Sequence, residues 1–155
     1  MFVNSMLSSN LRSMRRDESL GYMVNHLARQ LARALHDRIA PLGVVPGQFA
    51  QLIALYERDG VTQQELCEIV GIEQPTMANT LGRMERDGLV ERRPHPNDRR
   101  KQLIYLTDKA RGLEGPLTEA AESVNTLATV GLTATERSTL LRLIATVQAD
   151  LESRK

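Results

Sequence analysis

The chain predicts a mostly α fold with a small β wing. Three observations carry that expectation. Apolar residues recur at steps of three and four over several stretches, the period of one helix face. Only residues 89–106 break into two strand-like halves, set around a basic tip framed by prolines. Aromatic residues make up 3% of the 155 residues, with no Trp, so the core is built from Leu, Ile, Val, Met and Ala. That composition favours helices over a sandwich. At this length the chain is one domain, or two small lobes sharing a core.

Taken in order, residues 1–16 hold no acidic residue and several Ser and Arg. The composition is transit-like, but apolar residues are sparse, and the segment reads as a partly disordered N-terminal extension. Residues 17–40 read as a helix. Leu20, Val24, Leu27, Leu31, Leu35 and Ile39 mark one buried face, and Pro41 with Gly43 ends it. A second stripe, Tyr22, His26, Arg29, Arg33 and His36, is either a solvated polar face or, in its upper part, the border of a ligand cavity. Pro46 suits the first position of a second helix, with Phe49, Leu52, Ile53 and Tyr56 on its apolar side and Asp59-Gly60 as its stop.

Val61 has room for a short strand. Thr62-Gln-Gln-Glu65 is a capping box, in which hydroxyl and carboxylate satisfy free backbone N–H groups of a new helix. Gly71 allows a tight turn, and Pro75 fits the first turn of the next helix. There Met77, Leu81 and Met84 share one face, leaving Gln74, Thr76, Asn79, Thr80 and Arg83 away from the core. Small polar groups, amides and one guanidinium are the inventory that reaches base edges in a major groove. After Asp87-Gly88, residues 89–93 and 102–106 can pair as antiparallel strands around a tip at 94–100. A helix-turn-helix followed directly by a charged hairpin is the layout of a winged-helix DNA reader.

From Thr107, a cap-like residue, the residues Leu106, Ala110, Leu113, Leu117, Ala120, Val124 and Leu127 keep heptad-like spacing, which implies lengthwise packing on another helix. Gly115-Pro116 predicts a kink. Thr133-Ala-Thr-Glu136 is another capping box, and it opens a last helix with Leu140, Ile144, Val147 and Leu151 on one side.

Net charge is +1, but residues 92–101 carry Arg92, Arg93, Arg99, Arg100 and Lys101 against Asp98 alone, a local excess of +4. Such a patch is an electrostatic footprint for phosphates. The single cysteine, Cys67, excludes an internal disulfide and a multi-cysteine zinc cage, and fits a reducing cytoplasm. No apolar run approaches a membrane span of ~20 residues. His26, His36 and His95 are scattered, and no metal, cofactor or nucleophile motif is present, so an enzyme is not expected.

Residues 81–90 (Leu-Gly-Arg-Met-Glu-Arg-Asp-Gly-Leu-Val) and 95–109 (His-Pro-Asn-Asp-Arg-Arg-Lys-Gln-Leu-Ile-Tyr-Leu-Thr-Asp-Lys), in this order of elements, resemble MarR-family transcriptional regulators over residues 17–151. The second stretch holds the family's Asp-x-Arg wing signature, here Asp98 and Arg100. The resemblance implies a homodimeric, ligand-responsive repressor reading double-stranded DNA as a pseudo-palindrome. It implies dimerisation helices at 17–45 and 107–155 and a winged helix-turn-helix at 46–106. Arg100 would enter the minor groove, Asp98 would orient an arginine, and Arg99 and Lys101 would meet phosphates. A small anionic, often aromatic, effector would bind among Tyr22, His26, Arg29, Phe49 and Tyr56. Two alternatives stand beside this. One is an oxidant-sensing repressor working through Cys67, against a structural core role for that thiol. The other is a winged helix used for protein interaction without DNA.

Overall fold

Helices dominate, and the computed structural model describes residues 15–154. The expected extension at 1–16 therefore lies almost wholly outside the described residues. The elements are α1 (Leu20–Ile39), a 3-10 turn (Ala40–Leu42), α2 (Pro46–Glu57), β1 (Val61–Thr62), α3 (Gln63–Val70), α4 (Gln74–Arg86), β2 (Val90–His95), β3 (Asp98–Leu106), α5 (Asp108–Gly112), α6 (Glu114–Ala128) and α7 (Ala134–Glu152). No single described helix is long and apolar enough to cross a membrane.

Local chemistry sets the helix ends. The side chain of Ser19 accepts from Tyr22 N, so α1 begins at Leu20, three residues after the expected Asp17. Thr62 and Glu65 form the reciprocal box at the start of α3, and Thr133 and Glu136 repeat it at α7. Gly71 closes α3 at φ 74°, the left-handed region that favours glycine. Pro46 occupies the first turn of α2, where a missing N–H costs nothing.

One core joins α2, α3, α4 and the sheet. Leu52, Leu55, Val61, Leu66, Met77, Leu81, Met84, Leu89 and Ile104 are fully buried in it. The sheet order is β1-β3-β2, all antiparallel. Val61 pairs with Ile104, which places the entry to the helix-turn-helix beside the central strand of the wing. The wing differs from expectation in its tip. Pro94 pairs with Gln102, and His95 with Asp98, so the strands run past residues 94 and 100 and leave only Pro96 and Asn97 between them. Thr107 N donates to Leu89 O at 3.1 Å. By strict alternation from that pair, Val90, Arg92 and Pro94 turn their backbone nitrogens away from β3, so Pro94 removes no ladder bond.

The predicted kink is also displaced. The helix after Thr107 breaks at Leu113, which closes α5 and precedes α6. Gly115 and Pro116 lie in the first turn of α6, where proline needs no partner for its nitrogen, so they start a helix and do not bend one.

The terminal helices depart most from the expected burial. α1 packs along α6. Of the face expected to be buried, Ile39 is buried and Leu31 and Leu35 are half-buried, but Leu20, Val24 and Leu27 are exposed. α7 contains no buried residue, and Leu140, Leu141, Leu143, Ile144, Val147 and Leu151 are all exposed. The apolar pattern is present on both helices, but none of the described residues covers it.

Candidate nucleic-acid interface

α4 is held from beneath by Met77, Leu81 and Met84, all fully buried. Gln48, itself 3% exposed, fixes the far end of α4: its Oε1 accepts from Val45 N at 3.1 Å, and its Nε2 donates to Asp87 Oδ2 at 2.7 Å. Anchored this way, α4 exposes Gln74, Thr76, Asn79 and Arg83. Thr80 does not join them. It is 6% exposed, because it lies three residues after Met77 and four before Met84, inside the buried stripe. The expectation that Thr80 faces away from the core is corrected.

The wing supplies the second part. The carboxylate of Asp98 accepts from Arg100 N at 3.0 Å and from Arg100 Nε at 3.2 Å. These bonds from Arg100, with Lys101 and His95 nearby, hold the Asp98 carboxyl below its ordinary range. Backbone and side chain of Arg100 are thus tied to one anion, while the side chain stays 91% exposed. The local charge excess is smaller than the sequence count. Arg92 Nε meets Glu85 Oε2 at 3.0 Å, tying β2 to α4. Arg93 pairs with Glu91 and lies over the Tyr105 ring, 4.5 Å from its centroid. Among the described residues, Arg99 and Lys101 have no ion-pair partner, and both are exposed.

Between the wing and the start of α3 lies a cleft of about 390 Å³, bordered by Gln63, Gln64, Gln74, Arg99, Arg100 and Lys101. Gln63 and Gln64 were not anticipated as part of this surface. The capping box at Thr62 was the available signal, since it places both glutamines in the first turn of α3, with its free N–H groups.

The candidate effector residues are not drawn together in the single chain. Tyr22 and His26 stack on exposed α1 with ring centroids 6.2 Å apart. Arg29 is exposed on the same helix. Phe49 borders a different groove, with Ile53, Glu57 and Ile69. Tyr56 directs its hydroxyl to Ala110 O at 2.6 Å, and burial, with Glu114 adding, pushes its pKa up to about 12.

Cys67 is 8% exposed within the core. Burial, with Glu73 and Glu68 adding to it, pushes its thiol up, away from the nucleophilic thiolate that reacts with oxidants. Among the described residues no three His, Cys, Asp or Glu side chains form a metal-binding group.

Residues 42–101 match the MarR family. The HTH-type transcriptional regulator TtmR of Methylorubrum extorquens is 30% identical over 138 residues, covering 89% of this chain and 70% of TtmR. YybA of Bacillus subtilis, an uncharacterized HTH-type transcriptional regulator, is 23% identical over 129 residues, 83% of this chain and 86% of its own. Among solved structures, a mutant MarR from E. coli complexed with operator DNA superposes with a TM-score of 0.78 at 27% identity, covering 83% of this chain and 92% of that one. A MarR transcriptional regulator from Methanosarcina mazei Go1 gives 0.81 at 24% identity, over 88% and 98% of the two chains, a likeness of fold.

Proposed function

The chain belongs to the MarR family of DNA-binding transcriptional regulators, and from that premise we propose that it acts as a homodimeric repressor of a pseudo-palindromic operator, released by a small anionic or aromatic ligand. Residues 46–106 form the reading unit in this proposal, and 17–45 with 107–155 form the dimer body. Gln74, Thr76, Asn79 and Arg83 address base edges of the major groove, and Arg100 addresses the adjacent minor groove, where narrow stretches attract guanidinium groups. Arg99 and Lys101 neutralise phosphates, which position the protein without reading sequence.

The observation that carries the reading is Arg100. Asp98 holds its backbone and its side chain at once, and yet that side chain is almost wholly exposed at the wing tip. A cation preset in this way is ready to meet an anionic partner such as the backbone of DNA without further ordering. The dimer is supported by the apolar side chains that α1 and α7 leave in water, more than single scattered residues would account for. The effector part rests on the family resemblance. Its candidates, Tyr22, His26, Arg29, Phe49 and Tyr56, lie on α1 and α2, which meet at 75°, so a ligand between them would act on the joint between body and reader.

Selection of bound fragments from random DNA tests the proposal. The wild-type chain should enrich a pseudo-palindrome, with affinity falling steeply as salt rises. Arg100→Ala should lose roughly tenfold or more in affinity while remaining dimeric. Unchanged binding by that variant would remove the wing from the reading. Aromatic acids added to the selected complex should release the protein.

A further inference from the structure

We propose that Gln63 is a positioning residue that locks the amide of Gln74 and thereby sets base preference at one position of each half-site; the inference rests on the reading of α4 as the groove-facing helix. Gln63 is the first residue of α3, and Gln74 is the first residue of α4. The turn at Gly71 folds the two helix starts together, and Gln63 Nε2 donates to Gln74 Oε1 at 2.7 Å. Both side chains border the cleft that Arg99, Arg100 and Lys101 close from the wing side.

A solitary glutamine is an ambiguous reader. Its terminal torsion is broad and two-fold, so it presents either its oxygen or its amine to a base. The amide of Gln74 is not solitary. With its oxygen turned to Gln63, the amine is left for the cleft, and the residue becomes a donor. In the major groove, guanine offers O6 and N7 and thymine offers O4 as acceptors, whereas cytosine offers only an N4 donor. The usual bidentate contact of glutamine to adenine also asks the amide oxygen to accept from N6, and here one of its two lone pairs is already turned to Gln63. A donor-locked Gln74 therefore favours a base that offers an acceptor (guanine O6 or N7, thymine O4, adenine N7) and discriminates against cytosine.

The platform for this lock is firm at both ends. Thr62, the residue before Gln63, is paired to Leu103 in the sheet and closes the capping box with Glu65. On the other side, Met77 N donates to Glu73 O at 3.0 Å, and Pro75 presets the first turn around Gln74. Loss of the Gln63 amide would leave these backbones in place and free only the Gln74 torsion.

The experiment compares full-length wild type, Gln63→Ala, Gln74→Ala and the double variant. Each is used to select from random duplex DNA, followed by affinity measurements on the selected site and its single-base substitutions at several salt concentrations. The Gln63→Ala protein should retain the salt slope of wild type, and should lose roughly fivefold of discrimination at the base pair where Gln74→Ala also loses it. The double variant should lose no more than Gln74→Ala alone, because the first residue acts through the second. Uniformly weaker binding to all sequences, with a shallower salt slope, would make Gln63 a phosphate contact and overturn the inference. Unchanged preference in Gln63→Ala would overturn it as well. In both of those cases the DNA reading of α4 survives, whereas a wild-type chain that selects no fragment would bring down that reading and the inference together.

Discussion

Tyr56 donates its hydroxyl proton to the carbonyl oxygen of Ala110 across 2.6 Å, and so joins the last turn of α2 to the start of α5. One turn on, Asp59 strengthens the same joint. Its Oδ1 accepts from Gly60 N at 3.0 Å and from Leu106 N at 2.9 Å, and its other oxygen pairs with Arg111. Gly60 N also donates to Ile104 O, so the carboxylate of Asp59 takes over where β1 stops short of Leu106. α5 is therefore fastened to the reading unit, and the break at Leu113 separates it from α6, which packs on α1.

Replacing Tyr56 by Phe should cost about 1 kcal/mol in urea unfolding, the usual worth of one hydrogen bond. The same variant should alter the alkaline limb of stability. Because the folded pKa of Tyr56 is raised to about 12, its contribution is complete below the unfolded value of ~10 and is lost as pH rises between the two. Wild-type stability should decline across that window more steeply than that of Tyr56→Phe. Parallel curves would show that the burial of Tyr56 does not set the alkaline limb.

Thr80 and Asn79 are neighbours with opposite surroundings. Asn79→Ala should relax selectivity at one base pair per half-site by about 1–3 kcal/mol, read from affinities for substituted operators. Thr80→Val should leave the selected sequence unchanged, since the side chain is buried. A changed preference in Thr80→Val would restore that residue to the reading face.

The exposed apolar side of α7 gives a direct test of assembly. Leu141→Asp together with Ile144→Asp should convert a dimer to a monomer in sedimentation at micromolar concentration. A carboxylate left unpaired in a closed interface costs about 3–5 kcal/mol. Operator affinity should fall with the dimer, because each half-site alone is short. A doubly substituted chain that still sediments as a dimer would place the contact elsewhere.

On the acid side, two capping boxes should weaken together. Bonds from the backbone N–H and hydroxyl of Thr62 lower the pKa of Glu65, and those of Thr133 do the same for Glu136. Lowered folded values mean that both contributions are present above the unfolded glutamate value, ~4.3, and are lost as pH falls through the folded ones. Melting temperatures of Glu65→Gln and Glu136→Gln should lie below wild type at neutral pH and converge with it in acid. A constant gap at all pH values would assign the effect to packing.

What was legible in the sequence was mostly what is local. Thr62 and Thr133 announce their helices through carboxylates three residues on, and Gly71 announces its turn through the one backbone state it alone adopts cheaply. Thr80 looks outward by its polarity, but its angular position between Met77 and Met84 turns it into the core. Pro94 extends the strand beyond the expected 89–93, which proline permits where its nitrogen faces away from β3. The Leu113 break was invisible because Gly-Pro reads as a kink unless the helix starts just before it. Gln63 and Gln74 are eleven residues apart, and no periodicity connects them. The outer faces of α1 and α7 are recognisable as apolar, but their exposure among the described residues is not, because spacing marks a face without saying what lies against it.

The small sheet has one more consequence, for behaviour in a crowded solution. A sheet edge with free N–H and C=O groups is a template on which stray strands add, and both edges here are poor templates. On one side β1 offers only Val61 and Thr62. On the other, the outward nitrogens of β2 belong to Val90, Arg92 and Pro94, and the last of these has no hydrogen to give. A recruited strand would find at most two donors before the proline. The wing is thereby kept from polymerising through its own backbone.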